Sequence, residues 1–181
     1  MAGTDLRFIR LSKDTKIKPF VSGDPDLDSY LFDDAERYQE QLLSVTYILE
    51  NDKNTVAYFS LSNDRLLIAD MKSKTFWKKI ASKIGLHFEK RNRKSFPAVK
   101  IGRLATHSDY QSKGIGDSIV SWIRQSFTDG NKTGCLFITV DAYNNERAIK
   151  FYEKNGFEFM TDNSENDKTR LMFTSLLRKQ E

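Results

Sequence analysis

The stretch AVKIGRLATHSDYQSKGIGD, residues 98–117, constrains this chain more than any other part of it. An apolar run ends near Thr106, a short polar loop follows, and Gln111-x-x-Gly114-x-Gly116 opens a helix marked by Ile115, Ile119, Val120, Ile123 and Phe127. Glycines at such a turn let the backbone approach a ligand closely and adopt conformations barred to other residues. Successive N–H groups at the helix start point outwards with the positive end of the helix dipole behind them, an arrangement that suits a pyrophosphate. Lys113 adds charge beside them. The pattern lacks the G-x-G-x-x-G of a dinucleotide fingerprint and the G-K-[ST] of a P-loop, so neither of those nucleotide-binding devices applies. Taken alone, such a turn is structural more often than it is ligand-binding.

The remaining elements follow from periodicity and punctuation. LRFIRL (6–11) alternates as a strand, and Asp24-Pro25 starts a helix predicted over 26–42, with Leu27, Tyr30, Leu31, Ala35, Tyr38 and Leu42 on one face. VTYILE (45–50) and TVAYFSLS (55–62) flank the turn Asn51-Asp52-Lys53-Asn54, which predicts an antiparallel hairpin. A short helix is expected over 73–84, with Phe76, Ile80 and Ile84 on one face and Gly85 as its stop. AVKIGRLAT (98–106) and CLFITVDAY (135–143) read as strands, the second followed by a helix over 145–155. FEFM and TRLMFTSLL bracket the polar DNSENDK as a second hairpin. The order β-α-β-β-insert-β-α-β-α-β-β gives an α/β or α+β domain with a mixed, mostly antiparallel sheet.

Composition limits the function classes. At 181 residues, 39% hydrophobic and 30% charged, the chain is not wholly disordered, and its length suits a single domain over 1–181 with a basic insert at about 70–97. No stretch approaches the roughly 20 apolar residues of a membrane span, and MAGTDLRFIR lacks the apolar centre of a secretory signal. A single cysteine, Cys135, excludes an intramolecular disulfide framework and fits a reducing cytoplasm; no His and Cys cluster suggests a metal. The net charge of +4 conceals an asymmetry: residues 1–69 carry 8 basic and 12 acidic side chains, residues 70–100 carry 10 and 2, and residues 101–181 carry 11 of each. Clustered cations raise the potential felt by phosphates, so KSKTFWKKIASKIGLHFEKRNRK (72–94) is a candidate for gripping RNA. Its Phe76 and Trp77 serve equally as core anchors beneath a solvated lysine face.

A second motif accompanies the first. VDAYNNERAIKFYEKNGFEFM carries Asn145-x-x-Ala148-x-x-Phe151-Tyr152-x-x-x-Gly156-Phe157 on a strand and the helix after it. With these two motifs in this order, the chain resembles the GCN5-related N-acetyltransferase (GNAT) superfamily over about 98–160. The resemblance implies a twisted sheet whose central parallel strands, 98–106 and 135–142, splay apart, and a fold that binds acetyl-CoA. It implies that main-chain groups of Leu104 and Thr106 pair with the pantetheine arm and that an N–H near Leu104 or Ala105 polarises the thioester. Backbone groups of Gln111, Ser112, Lys113, Gly114, Ile115 and Gly116 would hold the pyrophosphate, with Asn145 on the other side of the cofactor. The choice of Asn145 over Asn144 rests on the spacing to Ala148. By the same analogy a neutral primary amine attacks the thioester directly, and Tyr152 protonates the departing thiolate. No metal takes part.

The bland readings stand beside these. Tyr152 also fits as a packed aromatic, His107 as a surface-loop histidine rather than a base, and Cys135 as a core residue rather than a nucleophile. Ser22-Gly23 through Tyr30-Leu31 and Gly102-Arg103-Leu104-Ala105 are similar to the GNAT branch that includes toxin acetyltransferases of bacterial toxin–antitoxin pairs, which acetylate the free amine of aminoacyl-tRNA. That likeness implies an aminoacyl-tRNA acceptor and an antitoxin partner; a small-molecule or protein amine remains open, as does a homodimer. Against a nucleic-acid partner stands the acidic first helix, with Asp28, Asp33, Asp34, Glu36 and Glu40. A non-catalytic CoA-binding module of the same fold is the competing reading from another class.

Overall fold

The computed structural model describes residues 6–86, 93–130, 132–162 and 167–177. Seven strands form one sheet in the order β1-β2-β3-β4-β5-β7-β6, mostly antiparallel with one parallel pair. The parallel pair arises where β4 (Ser95–Thr106) is followed by helix α4 (Ile115–Thr128) and then by its sheet neighbour β5 (Phe137–Tyr143). The predicted order of elements is the observed one. Two compact units divide the chain, Met1–Ser62 with Ile101–Trp122 and Asn63–Lys100 with Ile123–Glu181; β3 (Thr55–Leu67), β4 and α4 contribute to each.

In the first unit, β1 (Arg7–Arg10) pairs antiparallel with β2 (Val45–Glu50), and β2 pairs with β3 across the predicted turn. Asn51 makes that turn: its side-chain oxygen accepts from Lys53 N at 2.9 Å and Asn54 N at 2.8 Å. Asp24 caps α1 (Pro25–Ser29), accepting from Asp26 N at 3.0 Å and Leu27 N at 3.4 Å, with Pro25 in the first turn. The single helix expected over 26–42 is corrected in two ways. A π-helical stretch, Tyr30–Asp34, interrupts it before α2 (Ala35–Glu40), and the Ala35 N–H donates to the Tyr30 carbonyl. The wide turn brings Tyr30, Leu31 and Ala35 inward together, where they join Leu11, Phe20, Ile48, Tyr58 and Ala105 in one core. The helix then stops at Glu40, and Leu42 stands at φ 59° with 92% of its surface exposed, so it belongs to a turn and not to the apolar face.

The second unit packs α3 (Lys74–Lys83) over its own core. Ser73 caps the helix by accepting from Phe76 N at 3.0 Å, and Gly85 ends it at φ +66°. Trp77, Ile80, Ala81 and Ile84 are buried with Leu66, Met71, Phe96, Phe137, Met160 and Phe173, and Phe76 packs against them. Phe76 and Trp77 are thus core anchors, while Lys74, Lys78 and Lys79 lie exposed. Residues 87–92 of that segment, Arg91 among them, lie outside the described residues, as do residues 163–166 of the second predicted hairpin. β5 pairs antiparallel with β7 (Thr169–Ser175), and the two-residue β6 (Glu158–Phe159) pairs with β7. β3 runs five residues beyond its predicted end and β4 begins at Ser95 rather than at residue 98.

Tyr58 is fully buried at the centre of the first unit, its hydroxyl donating to the Leu27 carbonyl at 2.7 Å. Burial pushes its phenol well above the ordinary value of 10, against the opposing pull of the Arg103 guanidinium. The unfolded chain therefore releases this proton near pH 10 while the folded chain keeps it. The corresponding stability is fully present below pH 10 and is lost as pH rises above it. Thermal melts from pH 8 to 11 are expected to show a falling midpoint above pH 10, and Tyr58→Phe, though less stable at pH 8 for want of its hydrogen bond, is expected to fall less steeply.

Candidate functional site

The first candidate site, within the first unit, is the end of β4 and the loop leading to α4. Ala105 is buried in the core, and Leu104 and Thr106 are half-buried. After Thr106 the chain turns through a short 3-10 segment, Ser108–Tyr110, capped by His107, whose Nδ1 accepts from Asp109 N at 3.2 Å. His107 is not a surface-loop histidine: its ring is largely buried, edge-on to Phe20 and Tyr110. An Nδ1 that accepts a backbone N–H is unprotonated at that nitrogen, so the ring acts here as a cap.

Gln111 holds the loop by its side chain. Its Nε2 donates to the Ser22 carbonyl at 2.7 Å and to the Thr106 carbonyl at 3.0 Å, and its own N–H donates to the Ser108 carbonyl at 3.3 Å. The N–H that the sequence offers to a phosphate is therefore engaged, and the residue's part is to shape the loop. Ser112 and Gly114 both take left-handed backbone, at φ 60° and φ +78°, and a Cβ built on Gly114 meets nothing within 4 Å. α4 then begins, its first described internal turn closed by Ser118 N donating to the Gly114 carbonyl at 3.1 Å. The N–H groups ahead of Ser118 lie in the first turn, where a helix leaves its donors to a cap or a ligand. Open space at Gly114, a fourteen-residue helix behind it and two left-handed residues together fit an anionic phosphate group. Lys113 is exposed beside the loop with its ammonium 5.4 Å from the centre of the Tyr110 ring. Ile115 and Gly116 are half-buried in the first turn of α4, and Gly116 does not take a left-handed φ.

The second sequence motif lies on β5 and α5 (Glu146–Lys154), within the second unit. Asn145 is the cap of α5: its Oδ1 accepts from Ala148 N at 2.9 Å, which is the physical content of the Asn-x-x-Ala spacing. Asn144 turns the other way, its Nδ2 donating to the Asp167 carbonyl at 2.9 Å. Tyr152 is buried, edge-on to Phe151 and Phe157 with ring centres 4.9 and 5.1 Å away. Burial alone raises its phenol well above 10, so the hydroxyl carries its proton throughout the physiological range. Arg124 fixes the far end of α5, donating to the Asn155 carbonyl at 2.7 Å, to Thr174 Oγ1 at 2.9 Å and to the Ser175 carbonyl at 3.0 Å. Nothing in the sequence marked this arginine. Cys135 is half-buried, its Sγ donating to the Phe137 carbonyl at 3.4 Å, and burial raises the thiol above its ordinary value, which disfavours the thiolate a nucleophile needs.

Comparison with known proteins gives a family and a set of fold relatives. The family described as "Acetyltransferase (GNAT) domain" matches residues 44–159, which takes in both motifs. A search of curated proteins finds no match. Among solved structures, a tyrosine-to-phenylalanine mutant of KacT is 24% identical with a TM-score of 0.74, covering 94% of this chain and 95% of that one. AtaT complexed with acetyl-methionyl-tRNAfMet gives the same identity, TM-score and coverages. AtaTR bound with AcCoA is 24% identical with a TM-score of 0.71, over 95% of this chain and 94% of that one.

The loop geometry carries a stability signature. At a φ near +78° an L side chain costs roughly 1–2 kcal/mol and asparagine less, so Gly114→Ala is expected to lower the denaturation midpoint more than Gly114→Asn. Ser112→Gly, which relieves the neighbouring left-handed serine, is expected to raise it. Urea melts of the three variants check the ranking.

Proposed function

Because the chain belongs to the acetyltransferase (GNAT) family, we propose that it moves the acetyl group of acetyl-CoA directly to a primary amine, with no acyl-enzyme. The observation that carries the reading is the loop at Ser112–Gly116, left-handed at Ser112 and Gly114 and open above Gly114, within the matched span. In this reading the N–H groups of Ser112 to Gly116 hold the pyrophosphate, and Lys113 swings from the Tyr110 ring to add charge. Main-chain groups of Leu104 and Thr106 receive the pantetheine amides; the Thr106 carbonyl accepts from Gln111 with one lone pair and keeps the other. An N–H at Leu104 or Ala105 stabilises the oxyanion that forms when the amine attacks. Acetyl-CoA supplies the activated thioester.

Tyr152 is the proton donor for the leaving thiolate. Burial raises the phenol above its ordinary value, so the proton it would donate is in place throughout the physiological range. Asn145 adds the contact from the α5 side through its amide nitrogen, its oxygen being taken by the cap. Two measurements test these roles. Tyr152→Phe is expected to bind acetyl-CoA as the parent does while turnover, followed by thiol release with a panel of amines, falls on the order of 10²–10⁴-fold. Gly114→Val is expected to fold and yet lose CoA binding in calorimetry. A Tyr152→Phe protein with parental turnover returns Tyr152 to a packing role.

For the acceptor, the favoured class is the amine of an aminoacyl group on tRNA. The support is the fold likeness to AtaT, solved with acetyl-methionyl-tRNAfMet, together with the exposed lysines of α3. The acidic residues of the first helix are partly neutralised within the fold, Asp34 by Arg37 at 2.5 Å and Glu40 by Lys13 at 2.6 Å. An antitoxin partner fits the same likeness, since AtaT is solved with the C-terminus of AtaR. Replacing Lys74, Lys78 and Lys79 together with Ala is expected to weaken tRNA binding in filter assays and to make its salt dependence shallower, by roughly 0.7–0.9 for each phosphate no longer neutralised. Acetyl-CoA affinity is expected to hold.

A further inference from the structure

The stop at the end of α2 carries a residue that its geometry disfavours. Leu42 N donates to the Gln39 carbonyl at 3.1 Å and Leu43 N to the Tyr38 carbonyl at 2.9 Å, with Leu42 left-handed at φ 59°. That pair of bonds is the Schellman motif, whose left-handed position usually holds glycine because a side chain there is strained. Leu42 bears the strain without burial in return, since 92% of its surface is exposed. Leu43, 55% exposed, and Tyr38, 39% exposed, are joined by the second of those bonds and stand open on the same stop. Of the nine large hydrophobic side chains exposed among the described residues, four (Phe32, Tyr38, Leu42 and Leu43) fall within residues 32–43, so this exposure is concentrated and not scattered.

The charges of this stretch are mostly negative. Residues 32–43 carry Asp33, Asp34, Glu36 and Glu40 against one arginine, Arg37. Arg37 takes Asp34 at 2.5 Å and Lys13 takes Glu40 at 2.6 Å, which leaves Asp33 and Glu36 exposed and without a salt bridge among the described residues. Surplus carboxylates beside an apolar surface disfavour RNA phosphates, anionic lipid headgroups and the same surface of a second copy, and attract cations. We propose that the end of α2 is a docking surface for a cationic, amphipathic protein segment. Its apolar side chains cover Tyr38, Leu42 and Leu43, and its lysines or arginines meet Asp33 and Glu36. Glycine at position 42 makes the better turn but gives such a partner nothing to bury, and that difference accounts for a leucine the fold does not need. None of these residues lies in either cofactor motif, so the surface stands whether or not the chain transfers acetyl groups.

The probe is a fluorescently labelled peptide of leucine and lysine at helical spacing, set beside its counterpart with glutamate in place of lysine. Anisotropy titrations with the full chain are expected to show binding of the lysine peptide, weakened by added salt, and no binding of the glutamate peptide. Leu42→Gly is expected to weaken the lysine peptide by roughly 10- to 100-fold, the range for leaving one leucine side chain unburied. The same variant is expected to raise the urea midpoint, because glycine relieves the left-handed position. Asp33→Asn combined with Glu36→Gln is expected to weaken binding and flatten its salt dependence. Equal binding by the parent and Leu42→Gly overturns the proposal, as does equal binding of the two peptides. A Leu42→Gly protein that melts below the parent makes the leucine a residue of the fold and overturns it as well. Two further results hand the surface to another occupant: a parent dimer in sedimentation that Leu42→Gly dissociates, or pelleting with phosphatidylcholine vesicles that Leu42→Gly abolishes. Either one overturns the cationic segment.

Discussion

Two hydrogen bonds from one side-chain amide tie together the segments on which the first candidate site depends. Through Gln111, the Ser22 segment ahead of α1, the end of β4 and the loop before α4 share a single donor. Ser22 is held in turn by Asp28, whose Oδ1 accepts from Ser22 N at 2.8 Å and from Ser22 Oγ at 2.6 Å. The chain ahead of the first helix is thus coupled to the loop that opens α4. The loop is ordered by bonds within the protein, so any group that docks on it has less conformational entropy to remove.

Much of this was legible in the residues, for reasons that differ from place to place. Elements with strong apolar periodicity and unambiguous caps, such as Ser73 to Lys83 or the strand at 137–143, are specified locally and appear where expected. The failures occur where tertiary packing overrides a local pattern. Leu42 fits the helical spacing, but the chain must turn into β2, and the left-handed residue that makes the turn stands in solvent. β3 continues through Ser62, Asn63, Asp64 and Arg65, a polar run that looks like a loop until its alternating burial is seen.

The site divides in the same way. The glycine-rich turn and the Asn-x-x-Ala spacing were readable because backbone geometry and capping demand particular residue types at fixed offsets. The side-chain work of Gln111, His107, Arg103 and Arg124 was not, because each acts on carbonyls or rings distant in sequence. Gly116 illustrates a motif position whose reason changes once the helix is placed: it sits inside α4, and only Gly114 needs the freedom of glycine to turn.

The two ends of the sheet bear on how any partner can attach. β1, at one end, is four residues long with arginine at each terminus, and β6, at the other, is two residues long. Short, charged margins give an incoming strand few backbone groups to pair with and place charge where it would have to lie. Pairing of an incoming strand with either margin is accordingly disfavoured. That same feature guards against self-templated stacking during synthesis, when a seven-stranded sheet is most vulnerable to pairing with its own copies.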